Sequence, residues 1–198
     1  MLPHIGPAVP RRGTSISRIL VLRLFFACGW RIEGTIPNVP KAVVVGAPHT
    51  SNWDLAITLA GAFGLGVRVF WVGKHTLFRG IAGAVLRWLG GISVNRRQAR
   101  GFVESVLREY KRRDQFFVAI MPEGTRYAVR EWKTGFYHIA YGAQVPIILA
   151  AFDYGHQVLR FGPAIMPSGD LDHDLALIKA HFAGIRGKHP RPPAPPDP

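Results

Sequence analysis

The chain predicts a single α/β domain with a central, largely parallel to mixed sheet, flanking helices and an N-terminal interfacial helix. Three observations carry this expectation. Short β-branched apolar runs alternate with longer segments of helical period, the pattern of strand–helix–strand units. A length of 198 residues suits one domain with a sizeable core. No internal repeat interrupts the alternation.

Residues 1–15, with Pro3, Pro7, Pro10 and the pair Arg11-Arg12, read as a flexible lead-in. Residues 16–30 are strongly apolar but broken by Arg18 and Arg23. The uninterrupted stretch is shorter than the ~20 residues a spanning helix needs. It is expected to lie in a membrane interface, with Leu20, Leu24, Phe25 and Trp30 in the headgroup boundary and the arginines on lipid phosphates. A packed core helix is the alternative. A signal peptide ending near Cys28 fits poorly, because the arginines break its apolar region. Strands are predicted at 42–47, 67–73, 92–95, 116–121 and 146–153, and helices at 54–64, 78–89, 98–113, 132–143 and 172–184. Val158-Leu159-Arg160-Phe161 adds a late hairpin strand. The domain thus runs over 16–186, and the proline-rich stretch 187–198 reads as a disordered tail.

Composition narrows the partners. Hydrophobic residues make up 48% of a chain with net charge +13. A basic yet greasy protein suits an anionic membrane surface or an anionic, chain-bearing substrate. Nucleic acid is the other partner such charge allows, but no nucleic-acid motif occurs and the cations are scattered among loops and apolar helices. One cysteine, Cys28, excludes an internal disulfide and a cysteine-built zinc site, which suits a reducing compartment.

Chemistry gathers at three strand ends. The run Ala42–Ala47 leads into Pro48-His49-Thr50-Ser51-Asn52-Trp53-Asp54, so His49 stands at the rim of the sheet, where open α/β folds place their sites. Asp54 can turn back to the imidazole and hold one ring nitrogen while the other accepts a proton from a hydroxyl. Chance alone supplies roughly 0.3 such pairs in this composition. A helix capped by Ser51 or Asn52 would look the same. The next rim loop ends in Asn95-Arg96-Arg97, and Arg96 can fork onto a phosphate. After the following strand comes Met121-Pro122-Glu123-Gly124-Thr125-Arg126, with a glycine for close approach, a second guanidinium, and Glu123, which can hold an arginine or the acceptor in register.

Together these stretches resemble the glycerolipid acyltransferases, the 1-acylglycerol-3-phosphate and lysophospholipid acyltransferase family. His49-x4-Asp54 with Ser51 resembles the first signature, and Gly91 through Arg96 the second. Glu123-Gly124-Thr125-Arg126 matches the third letter for letter, and Val145-Pro146-Ile147-Ile148 resembles the fourth. The set covers about residues 42–153 in the family's order. Pro48 stands where Asn is common, Asn95 where Asp is usual and Tyr127 where Ser is frequent.

The resemblance implies acyl transfer from acyl-CoA or acyl carrier protein to the hydroxyl of a lysolipid acceptor, by default 1-acylglycerol-3-phosphate. His49 would be the base and Asp54 its orienting partner. Arg96, Glu123, Gly124, Thr125, Arg126 and Lys74 would bind substrate, with backbone amides near Gly124 at the oxyanion. No metal and no cofactor beyond the acyl donor are implied. A peripheral or monotopic position on the cytoplasmic face of the cell membrane follows. A lyso-aminolipid or glycolipid acceptor is the nearer alternative; a non-enzymatic basic module binding membrane or nucleic acid is the more distant one. Asp170-Leu171-Asp172-His173-Asp174 carries metal-ligand residue types but precedes an apolar-periodic helix, so it is read as a helix cap. The segment Trp132–His138 is expected to pack beneath the site.

Overall fold

The computed structural model describes residues 2–94, 99–191 and 193. Its described strands form one mixed seven-stranded sheet in the order β1-β7-β6-β2-β5-β3-β4. The strands are β1 (Arg31–Gly34), β2 (Lys41–Ala47), β3 (Val69–Lys74), β4 (Gly91–Val94), β5 (Phe116–Ile120), β6 (Ile147–Asp153) and β7 (Val158–Ile165). Five neighbours, β6-β2-β5-β3-β4, run parallel; β7 turns back antiparallel to β6, and β1 pairs parallel with β7. The expected hairpin strand is therefore β7. The edge strand β1 was missed in sequence, since Arg-Ile-Glu-Gly shows too short an alternation to stand out.

The central strands are apolar throughout because both faces are covered. Val43 and Val45 of β2 face one core with Ile147 and Leu149 of β6, while Val44 faces the other with Ile148 and Phe152. Helices α1 (Ser15–Ala27), α2 (Trp53–Leu65) and α3 (Gly80–Trp88) cover the second of these faces, through Phe25, Ile57, Leu65 and the neighbouring Leu86. Helices α4 (Ala99–Arg112), α5 (Gly135–Ala143) and α6 (Leu171–His181) cover the first, through Val106, Phe136, Tyr137 and Ile178. The helix expected over 78–89 is α3, preceded by a 3-10 turn at His75–Phe78.

The N-terminal segment departs from its expectation. Val9 is fully buried, the Arg12 amide donates to the Gly66 carbonyl at 2.9 Å, and the Arg68 amide donates to that of Pro10 at 2.8 Å. The lead-in is thus docked on the body. Helix α1, capped by the Thr14–Ser17 capping box, ends at Ala27. Phe25 and Trp30, expected in a headgroup layer, are core residues; Trp30 packs edge-on against Tyr154 at 4.9 Å. Arg18 lies against Gly66 at the C-terminal end of α2, where a cation is favoured, and so is not offered to lipid. Leu20 and Leu24 are exposed, as are Ile16, Ile19 and Phe26. No helix among the described residues is long and apolar enough to cross a membrane.

Candidate active site

Because β6, β2 and β5 are parallel neighbours, their C-terminal ends open on one edge, and the loops that follow meet there. After β2, residues 48–52 turn sharply into α2. Asp54, in the first turn of that helix, folds back so that Oδ2 accepts from the Thr50 amide at 2.8 Å and the Ser51 amide at 2.9 Å. The same oxygen lies 2.9 Å from His49 Nδ1, and Oδ1 accepts from the Tyr154 hydroxyl at 2.8 Å. Asn52 makes no side-chain cap, but Ser51 Oγ accepts from the Trp53 amide at 3.2 Å while the Ser51 amide donates to Asp54, so the capped helix start and the His49–Asp54 contact occur together.

Burial by itself raises the Asp54 carboxyl, but the hydrogen bonds from His49, the Ser51 amide, Tyr154 and the Thr50 amide outweigh it and hold the group below its ordinary value. A carboxylate so ionised can only accept, so Nδ1 of His49 carries the proton. Nε2 is left with its lone pair on a ring that is 24% exposed at the rim. A base with a fixed tautomer beside a buried anion is suited to taking a proton from a substrate hydroxyl. Tyr154 is forced toward its neutral, donating form, first by burial and then by Asp54.

The loop after β5 holds the other expected residues. Glu123 is turned inward: Oε2 accepts from the His49 amide at 2.8 Å, and Oε1 pairs with Arg191. Both oxygens are engaged, so of the two expected uses the carboxylate here holds an arginine, and it braces the histidine loop. Gly124, at φ +64°, donates its amide to the Met121 carbonyl at 3.1 Å, so this amide closes the turn and is not aimed at an oxyanion. Thr125 is half-buried with Oγ1 3.4 Å from the Tyr127 amide. Arg126 is exposed and reaches Asn52 Oδ1 at 2.8 Å, tying this loop to the histidine loop. Lys74 is the last residue of β3, in register with Val94. Arg96 and Asn95 lie outside the described residues.

Beneath the site, Phe136 and Tyr137 are core residues, and the Lys133 amide donates to the Pro122 carbonyl at 2.8 Å. Asp170 caps α6 by accepting from the His173 amide at 3.0 Å. Asp174 accepts from Tyr137, the Ser168 amide and the Ser168 hydroxyl at 2.7–3.0 Å. These carboxylates hold a helix start, and no group of metal-ligating side chains occurs among the described residues. On the α2 side of the sheet, a narrow apolar cavity lies between Val44, Thr58, Leu65, Phe117, Phe152 and Leu159. Thr58 donates to the Asp54 carbonyl at 2.7 Å, which puts the cavity one helical turn from the dyad.

Two residues of this constellation were not anticipated from sequence. Tyr154 follows the predicted strand 146–153, so its place at the rim was available; only the pairing of β6 beside β2 shows that it meets Asp54. Arg191 falls in the proline-rich stretch set aside as a disordered tail, and nothing in its sequence context marks it.

Comparison with known proteins bears on family and fold. The sequence model of the family described as Acyltransferase matches residues 31–152, which include β1 through nearly all of β6. No curated protein matches the chain. The crystal structure of the 1-acyl-sn-glycerophosphate (LPA) acyltransferase, PlsC, from Thermotoga maritima is similar in fold, with a TM-score of 0.62 at 17% identity, covering 89% of this chain and 80% of that one.

Proposed function

Since the chain belongs to the acyltransferase family, we propose that it moves a fatty acyl group from acyl-CoA or acyl carrier protein to the hydroxyl of 1-acylglycerol-3-phosphate, in phospholipid biosynthesis. The observation that carries this reading is the His49–Asp54 pair, with Nδ1 tied to a buried carboxylate at 2.9 Å and the ring open at the sheet rim. The acceptor hydroxyl gives its proton to Nε2 as its oxygen attacks the thioester carbonyl. The tetrahedral intermediate then collapses, and the departing thiolate takes the proton back. The attack is direct, with no acyl-enzyme, metal or further cofactor. Arg126, Arg96, Lys74 and Thr125 hold the acceptor's phosphate and glycerol, while Glu123 and Gly124 keep the loop in shape. The apolar cavity beside α2 suits the start of an acyl chain.

The same proposal places the protein peripherally on the cytoplasmic face of the cell membrane. On the α1–α3 layer, Ile16, Leu20 and Leu24 of α1 stand out with Leu77, Ile81 and Trp88 around α3; Ile81 is 86% exposed. Arg23 of α1, and Arg79 and Arg87 at the two ends of α3, are exposed as well. Exposed apolar side chains beside cations fit an anionic bilayer surface.

His49→Ala is expected to lower turnover by roughly 10²–10⁴-fold with folding intact, the usual cost of a lost general base. Wild-type turnover in that variant would overturn the mechanism. The acceptor is tested by offering one labelled acyl-CoA to a panel of lysolipids and resolving the products by mass. Preferential use of lysophosphatidic acid supports the reading. Asn95 in place of a carboxylate, and Arg126 already engaged by Asn52, favour a lyso-aminolipid or glycolipid as the second acceptor. Preference for a phosphate-free acceptor would remove the arginines from headgroup binding and leave the acyl transfer standing.

A further inference from the structure

The segment Gly187–Arg191 crosses the site and is held at several points. It is introduced by the Tyr154 amide, which donates to the Arg186 carbonyl at 2.9 Å. Gly187 lies so close to the Thr50 side chain that a β-carbon would have no room. The Lys188 amide donates to Thr50 Oγ1 at 2.9 Å, and its ammonium sits 4.6 Å from the centre of the Trp53 ring. Arg191 then pairs with Glu123. Thr50 belongs to the turn that carries His49, Trp53 opens the helix that follows it, and Glu123 accepts from the His49 amide. Every anchor of the segment therefore bears on the candidate base or its immediate support.

Glu123 needs this partner. Its side chain is 1% exposed, and the His49 amide satisfies one oxygen while leaving the charge unbalanced. A buried carboxylate stripped of its cation is strongly unfavourable and must take a proton or turn outward. Either change loosens the hydrogen bond that fixes the His49 backbone. Arg126 on the same loop is held by Asn52 and offers no replacement. We propose that Arg191, delivered by the segment 187–191, is a positioning residue that holds His49 in place through Glu123. This rests on His49 being the base of the reaction proposed above.

The test uses the full chain with Arg191→Ala, Arg191→Lys, Glu123→Gln and the Arg191→Ala/Glu123→Gln pair. With acyl-CoA and lysophosphatidic acid, Arg191→Ala should lower kcat by up to about 10²-fold, the cost of displacing a catalytic group by about an ångström. KM for both substrates should stay within about twofold, and Arg191→Lys, which keeps the charge, should recover most of the rate. In the Glu123→Gln background the charge to be balanced is gone, so adding Arg191→Ala should cost less than about twofold. A rise in KM at constant kcat would make Arg191 a substrate contact, and a faster Arg191→Ala enzyme would make the segment a cover. Equal losses in both backgrounds would remove Glu123 from the chain of effects. Each of these results overturns the proposal.

Amide hydrogen exchange without substrate provides the independent arm. The His49 amide should exchange at least about tenfold faster in Arg191→Ala than in wild type or Arg191→Lys. Unchanged protection overturns the proposal whatever the activity. Absence of acyl transfer by the wild type would instead refute the proposed function, and the exchange result would still decide whether Arg191 acts on His49.

Discussion

Asp54→Asn separates the two things a carboxylate can do for a histidine: fix its tautomer and balance its charge. At the Oδ2 position three donors converge, from His49, Thr50 and Ser51, while the Oδ1 position meets only the Tyr154 hydroxyl. A hydroxyl can accept as well as donate, so the asparagine has one good orientation, with its carbonyl toward the three donors and its NH₂ toward Tyr154. His49 then keeps the proton on Nδ1, and only the negative charge is lost. A hydrogen bond to a charged group is worth about 1.5–3 kcal/mol against about 1 for a neutral pair. The difference, felt as the imidazolium forms, corresponds to a loss of roughly 2- to 30-fold in kcat/KM. Elsewhere an Asp→Asn change that flips the tautomer has cost about 10⁴-fold. Asp54→Ala should do more harm, since each stranded donor in this buried spot costs about 1–3 kcal/mol. Turnover with acyl-CoA and lysophosphatidic acid, read beside Tm, decides. A loss near 10⁴-fold with Tm unchanged in Asp54→Asn would show that the backbone amides do not pin the side chain. No loss at all would show that the charge plays no part in the chemistry.

Tyr154→Phe removes one charge-assisted hydrogen bond but keeps the ring on Trp30; Tm should fall by the equivalent of about 1.5–3 kcal/mol, with the rate changing far less than in His49→Ala. A catalytic loss as large as that of His49→Ala would make the hydroxyl a reacting group. Acid should unfold the protein through Asp54 and Asp174. Burial raises both, but hydrogen bonds win and leave both folded values below the ordinary carboxylate range. Their stabilisation is therefore complete above the unfolded value of about 3.9 and is lost as pH falls through the lower folded values. A Tm profile that falls below about pH 4, and falls less steeply in Asp174→Asn, is expected; a main loss between pH 5 and 7 would assign acid lability to other groups. Ile81→Glu with Trp88→Glu should reduce binding to anionic vesicles at least about tenfold, as each exchanges an exposed apolar contact for a repelled charge. Unchanged vesicle binding would take α3 out of the membrane face.

What could be read in the sequence was what short-range chemistry determines. The runs Ala42–Ala47 and Ile147–Phe152 are apolar without interruption because they are central strands with helices on both sides, and this covering leaves its mark residue by residue. His49 and Asp54 were legible because their interaction is local and closes within one turn. Trp30 shows the limit from the other side. An aromatic after an apolar helix has the same sequence signature whether it faces lipid or core, and only the approach of Tyr154, 124 positions away, decides it.

Glu123 is the sharper case. Its tetrapeptide was the most recognisable stretch of the chain, yet residue type left open whether the carboxylate holds an arginine or an acceptor, and the structure has it on Arg191. Residue type gave its charge, but the direction is set by two partners, His49 and Arg191, that lie 74 and 68 positions away on opposite sides in sequence. A carboxylate at the rim of a parallel sheet faces ligand or loop depending on which donors are desolvated with it. Here the His49 amide and the Arg191 guanidinium take both oxygens, so the carboxylate is committed to the histidine loop, and under the function proposed above an anionic acceptor would be left to the cations around it.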